Sequence, residues 1–392
     1  MRVLTRLPIR ISLGAAALGL GVAAVAAAPA SAFSSPGRSP VIGHVYVNDN
    51  TAGANTIGAF DRHADGTLTP ESGSPFPAGG AGTGAGLASQ GALQITPDRR
   101  FLLAVDAGSD QISVLRIAWN GSVQLVPHGV VSSGGALPVS VAIHGQLVYV
   151  ANAGPTDSNY TGFRLDYGGH LRPLAGSTVT LPSTAQPGDV LFNGTGTKLV
   201  GTRVGTSEID SFTVGYDGRL IPSPGSPFPA QGLGPFGSEF RPTNPNQLFV
   251  SNAHNGGSGT GTVSAFDDSA NGTLTSISGS PFGDLQTAPC WLEISHDGHF
   301  LFAVNTGSGE ISRYLITPGG GLTLLGSTPV GSSGGVGAVD PRLSPDGRFL
   351  YIDESRIGAV GAFAVDGGNL TELSGSPTSL PTGATPAGIA VS

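Results

Sequence analysis

The stretch Ser344-Pro345-Asp346-Gly347-Arg348-Phe349-Leu350-Tyr351 decides the fold, because its succession of a tight turn and an apolar strand recurs along the chain. Thr96-Pro97-Asp98-Arg99 precedes Phe101 to Val105 in the same way, and Ser295-His296-Asp297-Gly298 precedes Phe300 to Val304. Proline, aspartate and glycine are typical of tight turns. We therefore interpret the stretch as the link between the first and second strands of a repeated β unit.

The unit occurs seven times. A polar residue follows or ends each second strand at intervals of 46 to 57 residues, and we assign it to Asp49, Asp106, Asn152, Thr202, Asn252, Asn305 and Glu354. A third strand follows, then a turn such as Asp217-Gly218 or Asn271-Gly272, whose residues suit the positive φ angles of hairpins, and then a fourth strand. Four-stranded units of about 40 to 50 residues in radial repetition are β-propeller blades.

The two ends of the chain complement each other. Pro386 to Val391 has the pattern of a first strand with no second strand after it, and Val45-Tyr46-Val47 is a second strand with no first. We therefore predict an all-β, seven-bladed propeller with four antiparallel strands per blade, closed by the N- and C-terminal strands. A pair of open β-sandwiches, the alternative, would not need such complementary ends.

Composition supports a β fold and excludes several classes of protein. The 392 residues include 63 Gly and 30 Pro, and 39% are hydrophobic. Because glycine and proline disfavour helix interiors, a helical bundle and a coiled coil are excluded. Cys290 is the single cysteine, so neither an internal disulfide nor a cysteine-rich zinc site can form. The net charge of −8 and the single lysine make nucleic acid an improbable partner.

The N-terminus has the pattern of a secretory signal peptide. Arg2, Arg6 and Arg10 precede an apolar run from Ile11 to Ala27, and Ala30-Ser31-Ala32 fits a cleavage site. We predict a signal peptide over residues 1–32, cleavage near Ala32 and a secreted propeller domain over residues 33–392. No later run is long enough to span a membrane, so we expect no membrane attachment after cleavage, and we expect a monomer.

Polar and aromatic residues predicted at the mouth of the central channel are the site candidates. His254 lies in the glycine-rich loop Asn252 to Gly257, and histidine suits general acid–base chemistry near neutral pH. The other predicted catalytic residues are Arg342, Glu239 and Glu293. A one-residue slip in the strand that carries Glu239 would turn its side chain away from the channel. The predicted ligand-binding residues are Trp291, Phe236, Asn152, Asn252, Asn305 and Asp106, although Asn and Asp there also commonly tie loops by hydrogen bonds.

Cofactor motifs lack the structural context that they need. The glycine run from Gly79 to Gly91 has no lysine and no following helix, so it is not a phosphate loop. Histidines at the spacing of metal ligands are absent apart from His296 and His299 in a turn. We therefore predict no cofactor and no metal.

The repeats resemble those of a known family. Tyr149-Val150-Ala151-Asn152, the quoted Ser344 stretch and the Asp-Gly turns are similar to the YVTN-type repeats of lactonase-family seven-bladed propellers, which include 6-phosphogluconolactonase and carboxymuconate cyclase. Ala288-Pro289-Cys290-Trp291 further resembles a secreted actinobacterial branch. In the family, a G-P-R-H motif and a later N-E supply charged or titrating residues. Here the stretches read Gly234-Pro235-Phe236-Gly237 and Asn252-Ala253-His254, and Pro341-Arg342 keeps the family's Pro-Arg.

Three functions remain open from the sequence. The resemblance implies a secreted hydrolase or lyase acting on a lactone or cyclic ester, with His254 as general base, Glu239 or Glu293 as its partner and Arg342 stabilising the developing carboxylate. The first alternative is a non-catalytic secreted propeller that binds a glycan, peptide or cell-wall ligand at the channel mouth. The second is a subunit of an extracellular redox or processing complex.

Overall fold

Seven antiparallel sheets account for the 33 strands in the described part of the chain. A computed structural model describes residues 39–156, 158–331 and 337–392. The seven sheets are the predicted propeller blades, so the fold class is confirmed. No helix among the described residues is long and apolar enough to cross a membrane. The predicted signal peptide, residues 1–32, lies outside the described residues.

The strands follow the blades in chain order. Blade 1 contains β1 (Val41–Asn48), β2 (Thr56–His63), β3 (Leu68–Pro70) and β4 (Phe76–Pro77). Blade 2 contains β5 (Leu93–Ile95), β6 (Phe101–Asp106), β7 (Gln111–Ile117) and β8 (Val123–Ser132). Blade 3 contains β9 (Pro138–His144), β10 (Leu147–Asn152), β11 (Asn159–Leu165), β12 (Leu171–Pro173) and β13 (Val179–Thr180). Blade 4 contains β14 (Pro187–Phe192), β15 (Lys198–Arg203), β16 (Glu208–Val214), β17 (Leu220–Pro222) and β18 (Phe228–Pro229).

The remaining blades repeat the order. Blade 5 contains β19 (Pro235–Arg241), β20 (Asn244–Asn252), β21 (Thr262–Asp268), β22 (Leu274–Ser276) and β23 (Phe282–Gly283). Blade 6 contains β24 (Pro289–Ile294), β25 (Phe300–Asn305), β26 (Glu310–Ile316) and β27 (Leu322–Pro329). Blade 7 contains β28 (Ala338–Leu343), β29 (Phe349–Glu354), β30 (Ala359–Asp366), β31 (Asn369–Glu372) and β32 (Thr378–Ser379). β33 (Ile389–Val391) ends the described chain.

The ring closes as predicted. β33 pairs antiparallel with β1, which places Val391 opposite Val45 and Ile389 opposite Val47. β33 is therefore the first strand of blade 1, although it comes from the opposite end of the chain.

A Ser-Gly-Ser-Pro sequence at residues 72–75, 278–281 and 374–377, and its variant Pro-Gly-Ser-Pro at residues 224–227, interrupt the fourth strands of four blades. In blade 1, β3 and β4 both pair with β2, and the repeat lies between them. The Oγ of Ser74 accepts a hydrogen bond from the backbone N–H of Ala59 at 2.9 Å, and Ser226 does the same for Ser211. The serine oxygen thus replaces an acceptor that the interrupted strand would supply.

The core consists of seven apolar clusters, one at each contact between neighbouring blades. Phe60 of blade 1 and Tyr351 of blade 7, for example, share one cluster. Each cluster forms because alternate side chains of a strand point to opposite faces of its sheet, toward the two adjacent blades.

Candidate functional site

Three charged side chains meet in the channel because they share a register position. Glu239 in β19, Glu293 in β24 and Arg342 in β28 each lie opposite the central aromatic residue of their second strand. Nη1 of Arg342 lies 3.1 Å from Oε2 of Glu293 and 3.7 Å from Oε1 of Glu239. We call these three residues the charged layer. Its geometry also resolves the register of β19, since Glu239 points to Arg342.

Burial perturbs the protonation of the charged layer and of a nearby aspartate. Desolvation, followed by the charge of Glu293, raises the pKa of Glu239 well above its ordinary value, although Arg342 opposes the shift. Desolvation also raises the pKa of Asp340 to about 7. Oδ1 of Asp340 lies 4.0 Å from Nη2 of Arg342. Burial disfavours the charge of Arg342, but the surrounding carboxylates outweigh burial and raise its pKa. The guanidinium therefore stays charged beside carboxyl groups that can bind a proton.

Residues 79–91, which we call the crossing segment, extend from blade 1 across the channel. The backbone N–H of Gln90 donates to Gly188 O of blade 4 at 2.9 Å. Its side-chain Nε2 donates to Ser238 O of blade 5 at 3.1 Å, and its Oε1 accepts from the N–H of Leu292 in blade 6 at 2.9 Å. Because one glutamine bonds to three consecutive blades far from its own, it must lie across the channel.

Two predicted ligand-binding residues hold the crossing segment in place. The rings of Phe236 and Trp291 are 5.0 Å apart in an edge-to-face arrangement, and their side chains are 3% and 5% exposed. Nε1 of Trp291 donates to Ser89 O at 2.7 Å. A Cβ on Gly237 would collide with Oε1 of Gln90. The place where the resembling family has a histidine is thus filled by Gln90, and the aromatic pair is largely buried, with Trp291 at the edge of a small cavity.

Cavities lie on both sides of the crossing segment. The larger, of about 340 Å³, opens at the face of the turns between first and second strands, and Gln94, His296 and Arg342 are among its lining residues. We call it the turn-side cavity. A smaller cavity of about 220 Å³ on the mouth side is lined by Leu87, Trp291 and other residues. Arg342 of the charged layer is therefore reached from the turn side, whereas Asp340 beside it borders the mouth-side cavity.

His254 is separated from the other predicted catalytic residues. It is exposed, and its backbone N–H donates to Leu233 O at the mouth end of β19. Glu239 lies four residues beyond Pro235, where β19 begins, which corresponds to about 13 Å along the strand. His254 therefore cannot act directly on a group held at the charged layer.

The predicted polar ligand-binding residues are fully buried. Asp106, Asn152, Asn252 and Asn305 are each 0% exposed. Nδ2 of Asn252 donates to Ser264 Oγ at 2.8 Å, and Nδ2 of Asn305 donates to Ser312 Oγ at 2.9 Å. These side chains tie the second and third strands of a blade together. In blade 4 the equivalent residue is Arg203, one position after the predicted Thr202, and it bonds Asp210 through two nitrogens.

Sequence reasoning missed two residues of the site, Gln90 and Asp340. Asp340 lies two residues before Arg342 in β28, so strand alternation could have placed the two on the same side of the strand. Gln90 ends a glycine-rich loop without periodicity, and its bonds go to strands 98 to 202 residues away. No local signal marks such a residue.

The fold and the charged layer define a seven-bladed β-propeller with an ionisable site inside its channel. The model of the family described as "Lactonase, 7-bladed beta-propeller" matches residues 45–235, which supports the lactonase resemblance. A comparison with curated proteins gave no match.

Solved structures share the fold at low sequence identity. A putative 6-phosphogluconolactonase from Bacteroides uniformis superposes with a TM-score of 0.71 at 20% identity, covering 89% of this chain and 99% of that one. The periplasmic gluconolactonase PpgL of Pseudomonas aeruginosa gives a TM-score of 0.69 at 18% identity, covering 89% and 98%. A hypothetical selenium-binding protein from Sulfolobus tokodaii gives 0.62 at 14% identity, covering 90% and 94%. At such identities the likeness establishes the architecture alone.

Proposed function

We propose that the protein is a lactonase-type hydrolase that opens a small lactone in the turn-side cavity. The observation that carries this proposal is the charged layer, which combines a carboxyl group of raised pKa with a fixed guanidinium. The family match over residues 45–235 supports the reaction class. The substrate is a sugar, aryl or acyl lactone small enough for a cavity of about 340 Å³.

Each residue of the charged layer has a role in the proposed reaction. The Glu239 carboxylate takes a proton from the attacking water and returns it to the ring oxygen as the C–O bond breaks. Arg342, 24% exposed, stabilises the oxyanion and then the carboxylate of the product. Glu293 positions Arg342, and its Oε1 also accepts a hydrogen bond from the Leu343 N–H at 2.9 Å.

We also propose that the protein acts outside the cell as a monomer. The sequence pattern of residues 1–32 supports export, with cleavage near Ala32. Detection of the chain starting at Phe33 in the culture medium would test export.

Turnover by matched variants tests the proposed reaction. The protein starting at Phe33 is assayed against sugar, aryl and acyl lactones together with Glu239→Gln and His254→Ala. We expect Glu239→Gln to lose activity about 100-fold or more, as for a general base. His254→Ala should retain activity because His254 lies at the other end of the channel. Absence of lactone opening by the unmodified protein, or full activity of Glu239→Gln, would overturn the proposal.

Exposed aromatic residues favour a second candidate function, the binding of a cell-wall polysaccharide. Trp119, Tyr167 and Tyr216 occupy the same position of the turn after the third strand in blades 2, 3 and 4, and all three are exposed. Exposed aromatic rings repeated on adjacent blades can each stack on a sugar ring at a separate point along a polysaccharide. This surface replaces the predicted one at the channel mouth, where Phe236 and Trp291 are buried.

Co-sedimentation with insoluble cell-wall polysaccharide tests this candidate. Replacement of Trp119, Tyr167 and Tyr216 by alanine should abolish sedimentation. Leu285→Ala, which removes an exposed side chain outside these turns, is the control. Equal sedimentation of the triple variant and the unmodified protein would exclude the candidate.

A further inference from the structure

Three metal-ligating side chains converge on one face of blade 1, away from the charged layer. His44 in β1 lies directly opposite Asp61 in β2, and Asp61 lies opposite Thr69, two residues before Glu71. Directly paired residues and residues two apart point to the same face of a sheet. One nitrogen or oxygen of each of His44, Asp61 and Glu71 lies within 4.8 Å of the others. Nδ1 of His44 is 3.3 Å from Oδ1 of Asp61.

The other blades provide an internal comparison for His44. His44 stands two residues before Tyr46, and the same position holds Leu147 before Tyr149 in blade 3 and Phe349 before Tyr351 in blade 7. All three tyrosines pair with the third strands of their blades in the same register. Blade 1 therefore has a histidine where these blades have an apolar side chain.

Glu71 also differs in polarity from residues at the equivalent position of other blades. Its backbone N–H donates to Ala59 O of the third strand at 2.9 Å, and Leu174, Ile277 and Leu373 make the equivalent bond in blades 3, 5 and 7. Glu71 is only 7% exposed. A carboxylate at a position suited to leucine is unfavourable unless a partner compensates its charge. Blade 1 thus carries two ligand groups, His44 and Glu71, at positions that are apolar in blades 3 and 7.

Electrostatics at the cluster favour a cation. Burial, followed by the hydrogen bond with Asp61, raises the pKa of Glu71. Burial lowers the pKa of His44 in spite of the neighbouring Asp61, so its imidazole is neutral at pH 7. Neutral imidazole is the form that binds a metal ion.

A buried hydroxyl next to the cluster lacks the bond that its counterparts make. The hydroxyls of Tyr149 and Tyr351 donate to the carbonyl oxygens of Gly218 and Gly66 in the next blade. Tyr46 is 0% exposed, and its hydroxyl has no hydrogen-bond partner of suitable geometry among the described residues.

The position of His44 explains why the Tyr46 hydroxyl does not bond to the next blade. His44 packs against Gly121, the glycine of blade 2 that corresponds to Gly218 and Gly66, so closely that a Cβ there would collide with the imidazole ring. Burial raises the pKa of Tyr46, an interaction with the Ser392 side chain opposes the shift, and the charges of Glu71 and Asp61 add to it.

The cluster borders a groove of about 730 Å³ between blades 1 and 2, lined by His44, Asp61, Glu71, Trp119 and other residues. The groove gives an ion access from solvent. It also leaves room for water or a ligand group at a coordination position that the protein does not fill.

We propose that His44, Asp61 and Glu71 bind one divalent transition-metal ion of the zinc class. One imidazole nitrogen and two carboxylate oxygens are ligands that such ions accept, and three protein ligands leave a position open toward the groove. The two carboxylates of Asp61 and Glu71 offset the charge of the ion. This site was not predicted from the sequence, since its ligands are 17 and 10 residues apart and contain a single histidine.

Calorimetric titration of the chelator-treated protein with zinc chloride tests the proposal. We expect one saturable site with a stoichiometry of about one ion per chain. The decisive variant is Glu71→Leu, which installs the residue that blades 3 and 7 have at this position. It should fold and melt at least as high as the metal-free protein, while its zinc affinity falls 10-fold or more.

His170→Ala is the matched control. His170 lies 3.1 Å from Asp166 on an exposed turn without a third ligand, so the variant should bind zinc as the unmodified protein does. The proposal is overturned if the unmodified protein shows no saturable binding. It is also overturned if Glu71→Leu binds zinc unchanged, or if His170→Ala loses the binding.

Discussion

At the scale of single residues, the charged layer depends on Arg342. Three carboxyl groups surround this guanidinium, and two of their side chains, Glu293 and Asp340, are 7% and 1% exposed. Replacement of Arg342 by methionine keeps the length of the side chain but leaves those carboxylates without a cation. Removing one partner of a buried ion pair typically costs about 3 to 5 kcal/mol. Because Arg342 is partly exposed, we expect a loss of about 3 kcal/mol in the free energy of unfolding.

Urea denaturation measures this loss. Arg348→Met is the control, since Arg348 is exposed and surface substitutions usually change stability by less than about 0.5 kcal/mol. Equal unfolding midpoints for the two variants would show that the buried carboxylates do not need Arg342.

The protonation of Glu239 sets a pH dependence for the proposed reaction. A general base works in its deprotonated form, and burial raises the pKa of Glu239 well above its ordinary value. The rate should therefore rise with pH through this raised pKa, and the rise should begin above the pH range in which an exposed glutamate titrates. The pH profile of kcat/KM measures this dependence. A rate that is constant from pH 4 to 8 would contradict the role assigned to Glu239.

At the scale of structural elements, the crossing segment is the part of the channel whose position could be predicted least from the sequence. Gln90 uses both ends of its amide, and the N–H of Leu292 depends on it for a partner. Gln90→Ala leaves this buried N–H unsatisfied, which costs about 1 to 3 kcal/mol. We expect a corresponding fall in the free energy of unfolding, measured in urea.

Gln124→Ala is the matched control, because Gln124 is exposed on β8. A Gln90→Ala variant as stable as Gln124→Ala would show that the bonds across the channel contribute little to folding.

The strands and blades could be predicted from the sequence better than the arrangement of the site residues. Blade count and ring closure follow from local patterns, such as the turn before Phe349 and the strand Val45 to Val47, which recur and complement each other. Glu239, Glu293 and Arg342 were also assigned to the channel, but at its mouth and with the direction of Glu239 left open, because a slip of one residue reverses a strand's faces. The position of Gln90 depends on contacts with blades 4 to 6. His254 was assigned to the site only because it lies in a glycine-rich loop, and the structure places it away from Glu239. Contacts between distant segments leave no periodic signal in the chain.

At the scale of the whole molecule, buried acids make stability depend on pH. Burial raises the pKa of Asp49 and Asp340 to about 7, whereas both titrate near 4 in the unfolded chain. Between these values the folded state binds more protons than the unfolded state, so stability falls as pH rises. We expect the melting temperature to be several degrees higher at pH 5 than at pH 8.

Substitution of Asp49 tests whether the buried acids cause this pH dependence of stability. Asp49→Asn retains an oxygen that can accept the bond from Thr56 Oγ1 but removes the titrating group, so the difference between pH 5 and pH 8 should narrow. Asp65→Asn, at an exposed residue, should leave the difference unchanged. An equal narrowing in both variants would place the pH dependence elsewhere.

The pairing of β33 with β1 also determines when the ring can form. His44 and Ser392, which bond beside this pairing, are 348 residues apart in the chain. Contacts of such separation carry a large loop-closure entropy and slow folding. Blade 1 has no first strand until residues 389–391 have been synthesised, so its β1 edge stays unpaired until then. The joining of β33 to β1 is the step that closes the ring and commits the chain to its native topology.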